Sequence, residues 1–393
     1  MESIIKSLLD NDLYKFSMQN AVLKLFPTAK VRYSFIVRSK VEFPEGFAEA
    51  LRKQIWHMKD LRLSSIEYRF FTDKCKYIDP SYFDFLQGYF YNPSEVGIIQ
   101  NGGELQLNIE GPWYRTILWE TPLLALISEL YFKMSRHLLP IKAFERHDSN
   151  VEKAKFFAGH NIKVAEFGTR RRYSYENQDE VIKDFLQVTF NKWLVGTSNV
   201  HFAHKYNLTL IGTEAHEWFM FHGAKYGFQM ANELALKHWA DVYQGDLGTA
   251  LCDTYTTDSF LRSFNKRYSK LYDGVRQDSG DPFEFMNKLI EHYKKMGIDP
   301  MSKTIVFSDS LNPDKAIELN KACNGKIKCS FGIGTNLSND VGVTPLNMVI
   351  KMTAAKPSED SIWIPTIKLS DHPGKHTGDS KMIEVCKYLL NIK

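Results

Sequence analysis

The sequence has few cysteines and no pattern that would pair them. All five are scattered, at positions 75, 252, 323, 329 and 386, and none forms a Cys-x-x-Cys motif. An odd, scattered set argues against a disulfide framework and against a zinc ribbon. Reduced thiols are typical of cytoplasmic proteins, so we expect a cytoplasmic location.

Long apolar runs and a strong net charge are missing as well. No apolar stretch approaches the about 20 residues that a membrane-spanning helix requires. The first residues, MESIIKSLLDNDLYKF, contain charges and no small-residue cleavage site, which predicts that there is no secretory signal. The formal net charge of +4 gives no general case for nucleic-acid binding. We therefore expect a protein that binds neither membranes nor nucleic acids.

The composition that remains is that of a globular protein. Hydrophobic residues make up 44% and charged residues 24% of 393 positions, which excludes disordered and fibrous classes. The first third of the chain mixes patterns and predicts an α+β domain. It contains a helix in DLYKFSMQNAVLKLF, two short strands in GELQLNIEGPWYRTILW and a helix in TPLLALISELYFKMSR, capped by its Thr with Pro in the first turn.

From about residue 160 a different pattern repeats seven times. A short apolar run ends in a Gly-, Asp-, Ser- or Thr-rich motif and is followed by an amphipathic helix, as in VAEFGTRR, WLVGTSN, LTLIGTEAH, TALCDTYTTD, YDGVRQDSGDP, TIVFSDSLNPD and KCSFGIGTNLSND. This pattern is typical of parallel strands connected by helices. It favours an α/β barrel first and an open doubly wound sheet second. In both, functional groups gather where the strands end, which is where all seven motifs fall.

The loop SFGIGTNLSND is a candidate phosphate site. Gly332, Gly334 and Thr335 follow a predicted strand, and small residues let backbone N–H groups converge on an anion. The loop is neither a GxGxxG fingerprint nor a Walker A loop. A tight strand-to-helix turn is the alternative.

The motif VRQDSGDP offers charged groups at another strand end. Arg276 suits phosphate, and Asp278 suits ribose hydroxyls or a Mg²⁺ shell. Asp281, which precedes Pro, is expected to cap the next helix. Asp309 in FSDSLNPD follows the same logic. Capping boxes and turns are the alternative explanation for both motifs.

Three consecutive arginines follow the strand in EFGTRRRYS. Arg170 and Arg171 come directly after the Gly-Thr turn and are candidates for holding a carboxylate or phosphate. Arg172 is expected in a solvated loop. Phe167 is a candidate for stacking on an aromatic substrate, although such a residue is more often part of a core.

The motif GTEAHEWF contains His216, which is a candidate catalytic group, metal ligand or packed side chain. A zinc site would also use other histidines (201, 204 and 222), but no HExxH is present. The position at a strand end favours a nucleophile or a general acid or base. Thr213 and Glu214, in the same turn, are further candidates for binding a substrate.

Taken in order, the motifs closely resemble the nicotinate phosphoribosyltransferase family of the bacterial and fungal type, over essentially the whole chain. They are LLDNDLYKFSMQ, GPWYRTILWETPLLALISE, EFGTRRRYS, GTSN, GTEAHEWF, RQDSGDP, VFSDSLN, SFGIGTNL and KLSDHPGK. The resemblance implies the type II phosphoribosyltransferase fold, an irregular α/β barrel with a second α/β domain. It places the barrel at residues 141–344 and the second domain at residues 1–140, joined by the tail 345–393.

The implied reaction converts nicotinate and 5-phosphoribosyl 1-pyrophosphate into nicotinate mononucleotide and pyrophosphate, with Mg²⁺ that enters with the substrate. The resemblance also implies ATP hydrolysis through a transient phosphohistidine at His216. Asp253 matches the position that orients this ring, and Glu214 is a second candidate. A carboxylate on the other ring nitrogen would fix the tautomer and stabilise the phosphorylated ring.

The remaining assignments concern the substrates. By resemblance, Arg276 and Asp278 hold ribose and pyrophosphate, Asp309 lies on the ribose side, and Gly334 with Thr335 cradles the 5′-phosphate. Mg²⁺ and arginine would neutralise the leaving group as the ribose carbon gains positive charge, and positioning would supply most of the rest.

The pyridine ring is expected between Phe167 and Tyr14, with Arg170 as the candidate for its carboxylate. In the family the equivalent of Tyr14 comes from the neighbouring subunit, so the resemblance implies a homodimer with shared active sites. Nicotinamide-using relatives carry Asp where this chain has Ser198 in GTSN. Serine removes the repulsion of a carboxylate and can donate to it, which favours the acid over the amide.

Three other functions compete with this one. A nicotinamide phosphoribosyltransferase would share the fold and chemistry and differ in its base. A catalytically silent nucleotide-binding barrel would be expected to lack His216, Asp278 or the GIGT loop, and all are present. A metal hydrolase would require the histidines to converge.

Overall fold

The structure is a computed structural model that describes residues 2–135, 137–189 and 192–392. The α-helices in these residues are α1 Leu13–Leu25, α2 Phe47–Met58, α3 Ser65–Lys74, α4 Pro80–Gly88, α5 Trp113–Thr116, α6 Glu120–Met134, α7 Ala143–Gly159, α8 Tyr175–Thr189, α9 Val200–Tyr206, α10 His216–Tyr226, α11 Phe228–Tyr243, α12 Thr257–Ser263, α13 Lys266–Leu271, α14 Pro282–Lys295, α15 Pro313–Cys323, α16 Thr335–Ser338 and α17 Ser380–Leu390. The strands are β1 Lys30–Val37, β2 Val96–Asn101, β3 Glu104–Pro112, β4 Val164–Glu166, β5 Leu194–Thr197, β6 Gln244–Leu247, β7 Thr249–Leu251, β8 Gly274–Gln277, β9 Thr304–Phe307, β10 Lys328–Ile333, β11 Met348–Lys356 and β12 Ile364–Pro365. Short 3-10 helices lie at Pro93–Glu95, Ile117–Trp119, Thr169–Arg171, Pro300–Ser302 and Pro373–Lys375.

A six-stranded sheet carries the repeated motifs, in the order β5-β4-β10-β9-β8-β7. The pairs β4–β5, β7–β8, β8–β9 and β9–β10 are all parallel. Backbones approach closely where β8 starts, since a Cβ on Gly274 would lie 2.0 Å from the carbonyl oxygen of Thr304. Parallel strands joined by helices confirm the predicted α/β class.

Six of the seven predicted strands are present, and the seventh is wrong. The segment LTLIG forms a single parallel bridge between Leu210 and Thr197 instead of a strand. Thr197 of β5 donates its N–H to the carbonyl of Thr209 and accepts the N–H of Ile211. The close approach is possible because position 196 is glycine, where a Cβ would lie 2.3 Å from that Thr209 oxygen. The pattern therefore located the segment correctly and overstated its pairing.

A second sheet has the order β12-β11-β1-β3-β2. Its β2–β3 hairpin is antiparallel, and the inward side chains of β3 alternate with exposed ones. Only one of the two strands predicted in GELQLNIEGPWYRTILW exists. The chain turns at Pro112 into α5 and the 3-10 helix Ile117–Trp119. The prediction failed here because most of these side chains are buried, so that no period distinguishes helix from strand.

The predicted Thr cap of α6 is also wrong. The helix starts at Glu120, so Thr121 lies inside it and Pro122 occupies the first turn. The preceding residue, Trp119, provides no side-chain cap, because the 3-10 helix leads straight into α6.

The chain divides into two compact units, each built from three separate segments. Unit 1 comprises Met1–Asn20, Tyr33–Gly212 and Ile333–Ile350. Unit 2 comprises Ala21–Arg32, Thr213–Gly332 and Lys351–Lys393. These boundaries differ from the predicted domains at 1–140 with 345–393 and at 141–344, and the domain boundaries stay a prediction.

Each unit buries its own aromatic core. Trp113 and Trp119 are fully buried in unit 1, and Trp218 and Trp239 are buried in unit 2. Burial of such rings supplies much of the hydrophobic stabilisation of a domain. Among the described helices, none combines the length and the apolar composition that a bilayer span requires.

Candidate active site

His216 is the first residue of α10 and is buried in unit 2. Its Nδ1 lies 3.0 Å from the hydroxyl oxygen of Thr254. Its Nε2 lies 3.0 Å from Oδ2 of Asp278 and 2.8 Å from Nζ of Lys368. The ring is therefore held on both edges by polar partners, which is unlike a histidine packed in an apolar core.

Two carboxylates reach the same edge of this ring. Asp253 follows β7, and its Oδ1 lies 3.7 Å from Nε2 of His216. The other oxygen, Oδ2, accepts hydrogen bonds from Ser279 at 2.6 Å and Ser370 at 3.4 Å and lies 3.3 Å from Lys368. Asp253 is thus beside the ring as expected, although Asp278 is the nearer carboxylate.

Glu214 does not join this cluster as the expected second candidate. Its carboxyl accepts a hydrogen bond from the backbone N–H of Leu251, and its Oε2 has no hydrogen-bond partner among the described residues. Burial raises the pKa of Glu214 to about 8. A carboxyl that is neutral at pH 7 cannot stabilise positive charge on the imidazole of His216.

Electrostatics keep the ring of His216 neutral. Burial, followed by the nearby Lys368 ammonium, lowers the pKa of His216 to about 4. Although burial opposes it, Arg276 and His216 hold the pKa of Asp278 well below its usual value. A neutral imidazole beside an ionised carboxylate is a competent nucleophile at pH 7.

Arg276 and Asp278 form one rigid group with the residue after β9. Arg276 Nη2 donates to Oδ1 of Asp278 at 2.9 Å, and its Nε donates to the hydroxyl of Ser308 at 2.8 Å. Ser308 in turn donates to Oδ1 of Asp278 at 3.0 Å. Asp309, next along the chain, accepts from Lys375 at 2.8 Å. Cations and carboxylates therefore alternate along the ends of β8 and β9.

Asp281 has the structural role predicted for it. Its carboxylate caps α14 by accepting the backbone N–H groups of Phe283 and Glu284, at 2.8 and 2.9 Å. This cap confirms that one of the two Asp residues in RQDSGDP shapes the chain while Asp278 faces the histidine.

The arginines after β4 lie in unit 1 and have three different environments. Arg170 is half-buried, with Nη1 3.7 Å from a carboxylate oxygen of Glu120. Arg171 donates from its guanidinium to the backbone oxygen of Met348 at 3.0 and 3.1 Å and to the side chain of Asn347 at 3.2 Å. Arg171 therefore ties down the segment that enters β11, whereas Arg170 stays a candidate for an anionic substrate.

The prediction that Arg172 lies in a solvated loop is wrong. Arg172 is fully buried and makes two hydrogen bonds to the carboxylate of Asp10, at 2.8 and 2.9 Å. Asn199 donates to the same carboxylate at 2.8 Å. Although burial opposes it, Arg172 keeps the pKa of Asp10 low, so both groups stay charged inside unit 1.

Ser198, at the end of β5, already uses its hydroxyl inside the protein. The hydroxyl donates to Oδ1 of Asp12 at 2.8 Å, and Asp12 is buried. Burial raises the pKa of Asp12. The serine expected to donate to a substrate carboxylate therefore donates to a carboxylate of its own chain.

The candidate stacking residues differ in exposure. Phe167 follows β4 and is half-buried, so part of its ring lies outside the core, and its N–H donates to the carbonyl of Ile333 at 2.8 Å. Tyr14 is buried, and its hydroxyl has no hydrogen-bond partner among the described residues. Whether the two rings enclose a substrate stays a prediction.

The Gly332–Thr335 loop leaves β10 and enters the four-residue α16. Gly334 can approach β4 because it has no side chain; a Cβ there would lie 3.2 Å from the carbonyl oxygen of Phe167. Its own carbonyl accepts the N–H groups of Leu337 and Ser338 at 2.9 and 3.1 Å. The tight turn is therefore real, and its phosphate-binding role stays a prediction.

Within the described residues, one group of side chains offers ligands for a metal ion. Single ligand atoms of His216, Asp253 and Asp278 all lie within 4.8 Å of one another. The predicted alternative with four histidines is not among such groups. Lys368 already brings an ammonium to His216 and Asp253, and Mg²⁺ prefers oxygen ligands. The cluster therefore does not fit a protein-held Mg²⁺ ion.

Sequence reasoning missed three residues of this cluster. Lys368 lies 152 positions from His216 in the chain, and no local pattern connects them. Thr254 and Ser279 lie in the motifs TALCDTYTTD and YDGVRQDSGDP, but the sequence alone assigned them no role. The signal for Lys368 was its place in KLSDHPGK, which is one of the recognised motifs, although no role was attached to it.

Charged and nucleophilic side chains that lie directly after parallel strands are characteristic of α/β enzymes. Asp253 and Asp278 lie just after β7 and β8, and they form one connected polar cluster with Arg276 of β8 and with His216. The class of the protein is therefore an α/β enzyme.

Comparison with known proteins gives the family. The nicotinate phosphoribosyltransferase (NAPRTase) family matches residues 162–392, and its N-terminal domain matches residues 9–128. The chain is 54% identical over 387 residues to the nicotinate phosphoribosyltransferase of Chromohalobacter salexigens, covering 98% of each. It is 50% identical over 387 residues to that of Desulforapulum autotrophicum, covering 98% of this chain and 99% of the other. A crystal structure of the Porphyromonas gingivalis enzyme of this name superposes with a TM-score of 0.95 at 45% identity, covering 99% of this chain and 100% of the other. The chain belongs to the nicotinate phosphoribosyltransferase family.

Proposed function

We propose that the protein condenses nicotinate with 5-phosphoribosyl 1-pyrophosphate to give nicotinate mononucleotide and pyrophosphate, a step of NAD biosynthesis. Full-length similarity to proteins named nicotinate phosphoribosyltransferase supports this reaction. ATP is a co-substrate whose hydrolysis is coupled through a phosphohistidine at His216, and Mg²⁺ enters with the phosphates of the substrates. The observation that carries the proposal is a buried, neutral His216 in contact with an ionised Asp278.

The glycosyl step needs positioning more than covalent help. As pyrophosphate leaves, positive charge develops on the ribose ring and negative charge on the leaving oxygens. Arg276 is suited to the leaving phosphates, and Asp278 and Asp309 are suited to ribose hydroxyls. Gly334 and Thr335 would hold the 5′-phosphate. The rigid hydrogen bonds from Arg276 to Asp278 and Ser308 support this division, because they fix the groups before the substrate arrives.

A separate set of residues is proposed to bind the nicotinate base. Arg170 is the proposed partner of the nicotinate carboxylate, since its guanidinium is partly exposed after β4 and a cation there suits an anionic substrate. Phe167 and Tyr14 are the proposed stacking pair, with Tyr14 supplied by a second subunit of a homodimer. A cytoplasmic location is part of the same proposal. Light scattering of the purified protein tests the dimer, and mixing a Tyr14 variant with His216→Ala tests, by recovery of ATP-stimulated activity, whether sites are shared.

The test of the reaction is product formation from labelled nicotinate and 5-phosphoribosyl 1-pyrophosphate with Mg²⁺, with and without ATP. Wild type is expected to form the mononucleotide faster with ATP and to release ADP. His216→Ala is expected to lose the stimulation and the ADP release. The matched control is His238→Gln, a half-buried histidine on α11 that contacts His222 and no residue of the proposed site. Full ATP stimulation in His216→Ala would make His216 structural.

Base choice is tested in the same assay. Nicotinate and nicotinamide compete in one tube, and the two mononucleotide products are separated. Consumption of nicotinamide in preference to nicotinate would replace the proposed reaction by that of a nicotinamide phosphoribosyltransferase.

A further inference from the structure

The Nε2 atom of His216 faces two partners with opposite demands. Asp278 Oδ2, at 3.0 Å, is an ionised oxygen that only accepts hydrogen bonds. Lys368 Nζ, at 2.8 Å, is an ammonium that only donates them. One ring nitrogen cannot carry a proton for the first and a lone pair for the second. The two contacts therefore correspond to two different tautomers of the ring.

The two tautomers place the lone pair on different ring nitrogens. With Lys368 in place, its ammonium donates to the lone pair of Nε2, so the ring proton sits on Nδ1 and is donated to the hydroxyl of Thr254, 3.0 Å away. With Lys368 withdrawn, Nε2–H can donate to Asp278. Nδ1 then carries the lone pair, and the hydroxyl of Thr254, which is both donor and acceptor, can turn to donate to it.

We propose that Lys368 is a positioning residue that sets the tautomer of His216, and that an incoming polyphosphate switches the ring by drawing the ammonium away. Lys368 is buried, and its other contact is Oδ2 of Asp253 at 3.3 Å. Phosphate oxygens are strong competitors for an ammonium because they carry more charge than the neutral Nε2.

The charges around the ring make both states accessible. The groups that face His216 are the cation Lys368, the carboxylates Asp253 and Asp278, and Arg276 behind Asp278. Two carboxylates and two cations balance, so moving one ammonium by a few ångströms creates no buried net charge while it stays paired with an anion. With Lys368 in place, burial and its ammonium lower the pKa of His216 to about 4, so the ring is neutral at pH 7.

The switch has a consequence for the phosphohistidine, and this step rests on the proposed function. In the exchange Nδ1 loses its proton to solvent and Nε2 takes one up from solvent, so the charge of the ring does not change. The lone pair on Nδ1 then forms a bond to the γ-phosphorus of ATP, the bond from that phosphorus to the β-bridging oxygen breaks, and the electron pair leaves with ADP. Nε2–H remains hydrogen-bonded to Asp278, which stabilises the positive ring.

The proposal predicts that the histidine nucleophile is masked until phosphates arrive. A ring whose lone pair faces Lys368 and whose Nδ1 carries the proton has no free nucleophilic nitrogen. A bound polyphosphate would therefore be required both as substrate and as the signal that exposes the nucleophile.

The experiment is ¹⁵N NMR of the full-length protein with ¹⁵N-labelled histidine, in which a protonated and an unprotonated ring nitrogen resonate far apart. His216→Gln identifies the signals of His216 by their loss. Inorganic pyrophosphate is the probe, since it brings the phosphates without the adenosine. Lys368→Met removes the ammonium at similar length, and Lys368→Arg keeps a cationic donor. Lys303→Met is the matched control, because the buried Lys303 donates to the backbone oxygens of Lys270 and Tyr272.

We expect the free wild type to hold its proton on Nδ1 and to move it to Nε2 when pyrophosphate is added. Lys368→Met is expected to hold the proton on Nε2 without pyrophosphate, a change in the tautomer ratio of about tenfold or more, as befits loss of a charged hydrogen-bond donor. Lys368→Arg and Lys303→Met are expected to resemble wild type.

Three results would overturn the proposal: a proton on Nε2 in the free wild type, a proton that stays on Nδ1 when pyrophosphate is added, or the same tautomer in wild type and Lys368→Met. If a variant fails to fold, the wild type with and without pyrophosphate still decides. Failure of the proposed function is separate, because it appears as an absence of ADP release and phosphohistidine in wild type, whatever the tautomer.

Discussion

The contact between Ser198 and Asp12 makes a sharp prediction for Ser198→Asp. Ser198 is only 5% exposed, and its hydroxyl donates to Oδ1 of Asp12 at 2.8 Å. The backbone holds it in place, since the N–H of Ser198 donates to the carbonyl of Glu166 at 2.9 Å. A carboxylate at position 198 would therefore meet a second buried carboxylate and could not swing away.

The magnitude follows from that geometry. Two unit charges about 4 Å apart repel by about 4 kcal/mol at the effective dielectric constant typical of protein sites. Loss of the donated hydrogen bond costs about 1.5–3 kcal/mol, but the two penalties do not add, because the pair can take up a proton instead. We expect Ser198→Asp to lower the free energy of unfolding by about 2–4 kcal/mol relative to Ser198→Asn at pH 7. Asparagine has the same size and its amide can donate to Asp12.

The assay is urea unfolding of both variants at pH 7 and pH 5, with competition between nicotinate and nicotinamide as a second readout. The paired carboxyls have a raised pKa in the folded protein, so the folded state binds more protons and the penalty grows as pH rises. The stability gap is therefore expected to shrink at pH 5. Nicotinate kcat/KM is expected to fall about tenfold or more relative to Ser198→Asn, which corresponds to about 1.4 kcal/mol. Equal stability of the two variants at pH 7 would refute the contact with Asp12 as the governing interaction.

The other predictions concern charge, ion pairing and close packing. Because the pKa of His216 is lowered to about 4, an NMR titration is expected to find its ring neutral from pH 8 down to about pH 5. The stability that the neutral His216 contributes is lost as pH falls from the usual histidine pKa through 4. Asp10→Asn leaves the buried Arg172 without its carboxylate and is expected to lower the free energy of unfolding in urea by about 3–5 kcal/mol. Gly274→Ala places a Cβ 2.0 Å from the backbone oxygen of Thr304 and is expected to cost about 3 kcal/mol or more, measured as a lowered Tm or as loss of soluble protein.

Each of these has a control and a contrary outcome. Protonation of His216 near pH 6.5 would contradict the burial and Lys368 effects. Lys237→Met breaks an exposed ion pair with Asp241 and is expected to lower the free energy of unfolding by under about 1 kcal/mol. An equally small loss for Asp10→Asn would mean that the buried ion pair contributes no more than a surface pair. Gly88→Ala has no atom within 4 Å of its new Cβ and is expected to be tolerated, so equal tolerance of Gly274→Ala would contradict the close approach of β8 and β9.

The sequence was sufficient to predict those site residues that directly follow a strand. Residues such as Asp278 and Ser198 follow short apolar runs directly, and parallel strands bring such positions to one edge. Local patterns of this kind need only a few neighbouring residues. The N-cap role of Asp281 was predictable for the same reason, because the cap, the proline and the helix are adjacent in the chain.

The sequence could not predict contacts between distant segments. Arg172 pairs with Asp10 from 162 positions away, so a run of three arginines gave no sign that one of them is buried. Lys368 reaches His216 across 152 positions, and Ser198 had no visible reason to donate to Asp12. Strand pairing also depends on distant segments: LTLIG has the composition of a strand, but it pairs with β5 by a single bridge, between Leu210 and Thr197.

The order in which the segments are made has a consequence for synthesis in the cell. Each unit closes with a segment from the last part of the chain, Ile333–Ile350 for unit 1 and Lys351–Lys393 for unit 2. At about 5–20 residues per second, the 152 positions between His216 and Lys368 take about 8–30 s to translate. Throughout that time His216 lacks its lysine and unit 2 lacks its final segment, whereas the final segment of unit 1 is translated within the interval. A chain truncated before Lys351 would lack Lys368 and the final segment of unit 2, so we expect it to be inactive and to be degraded.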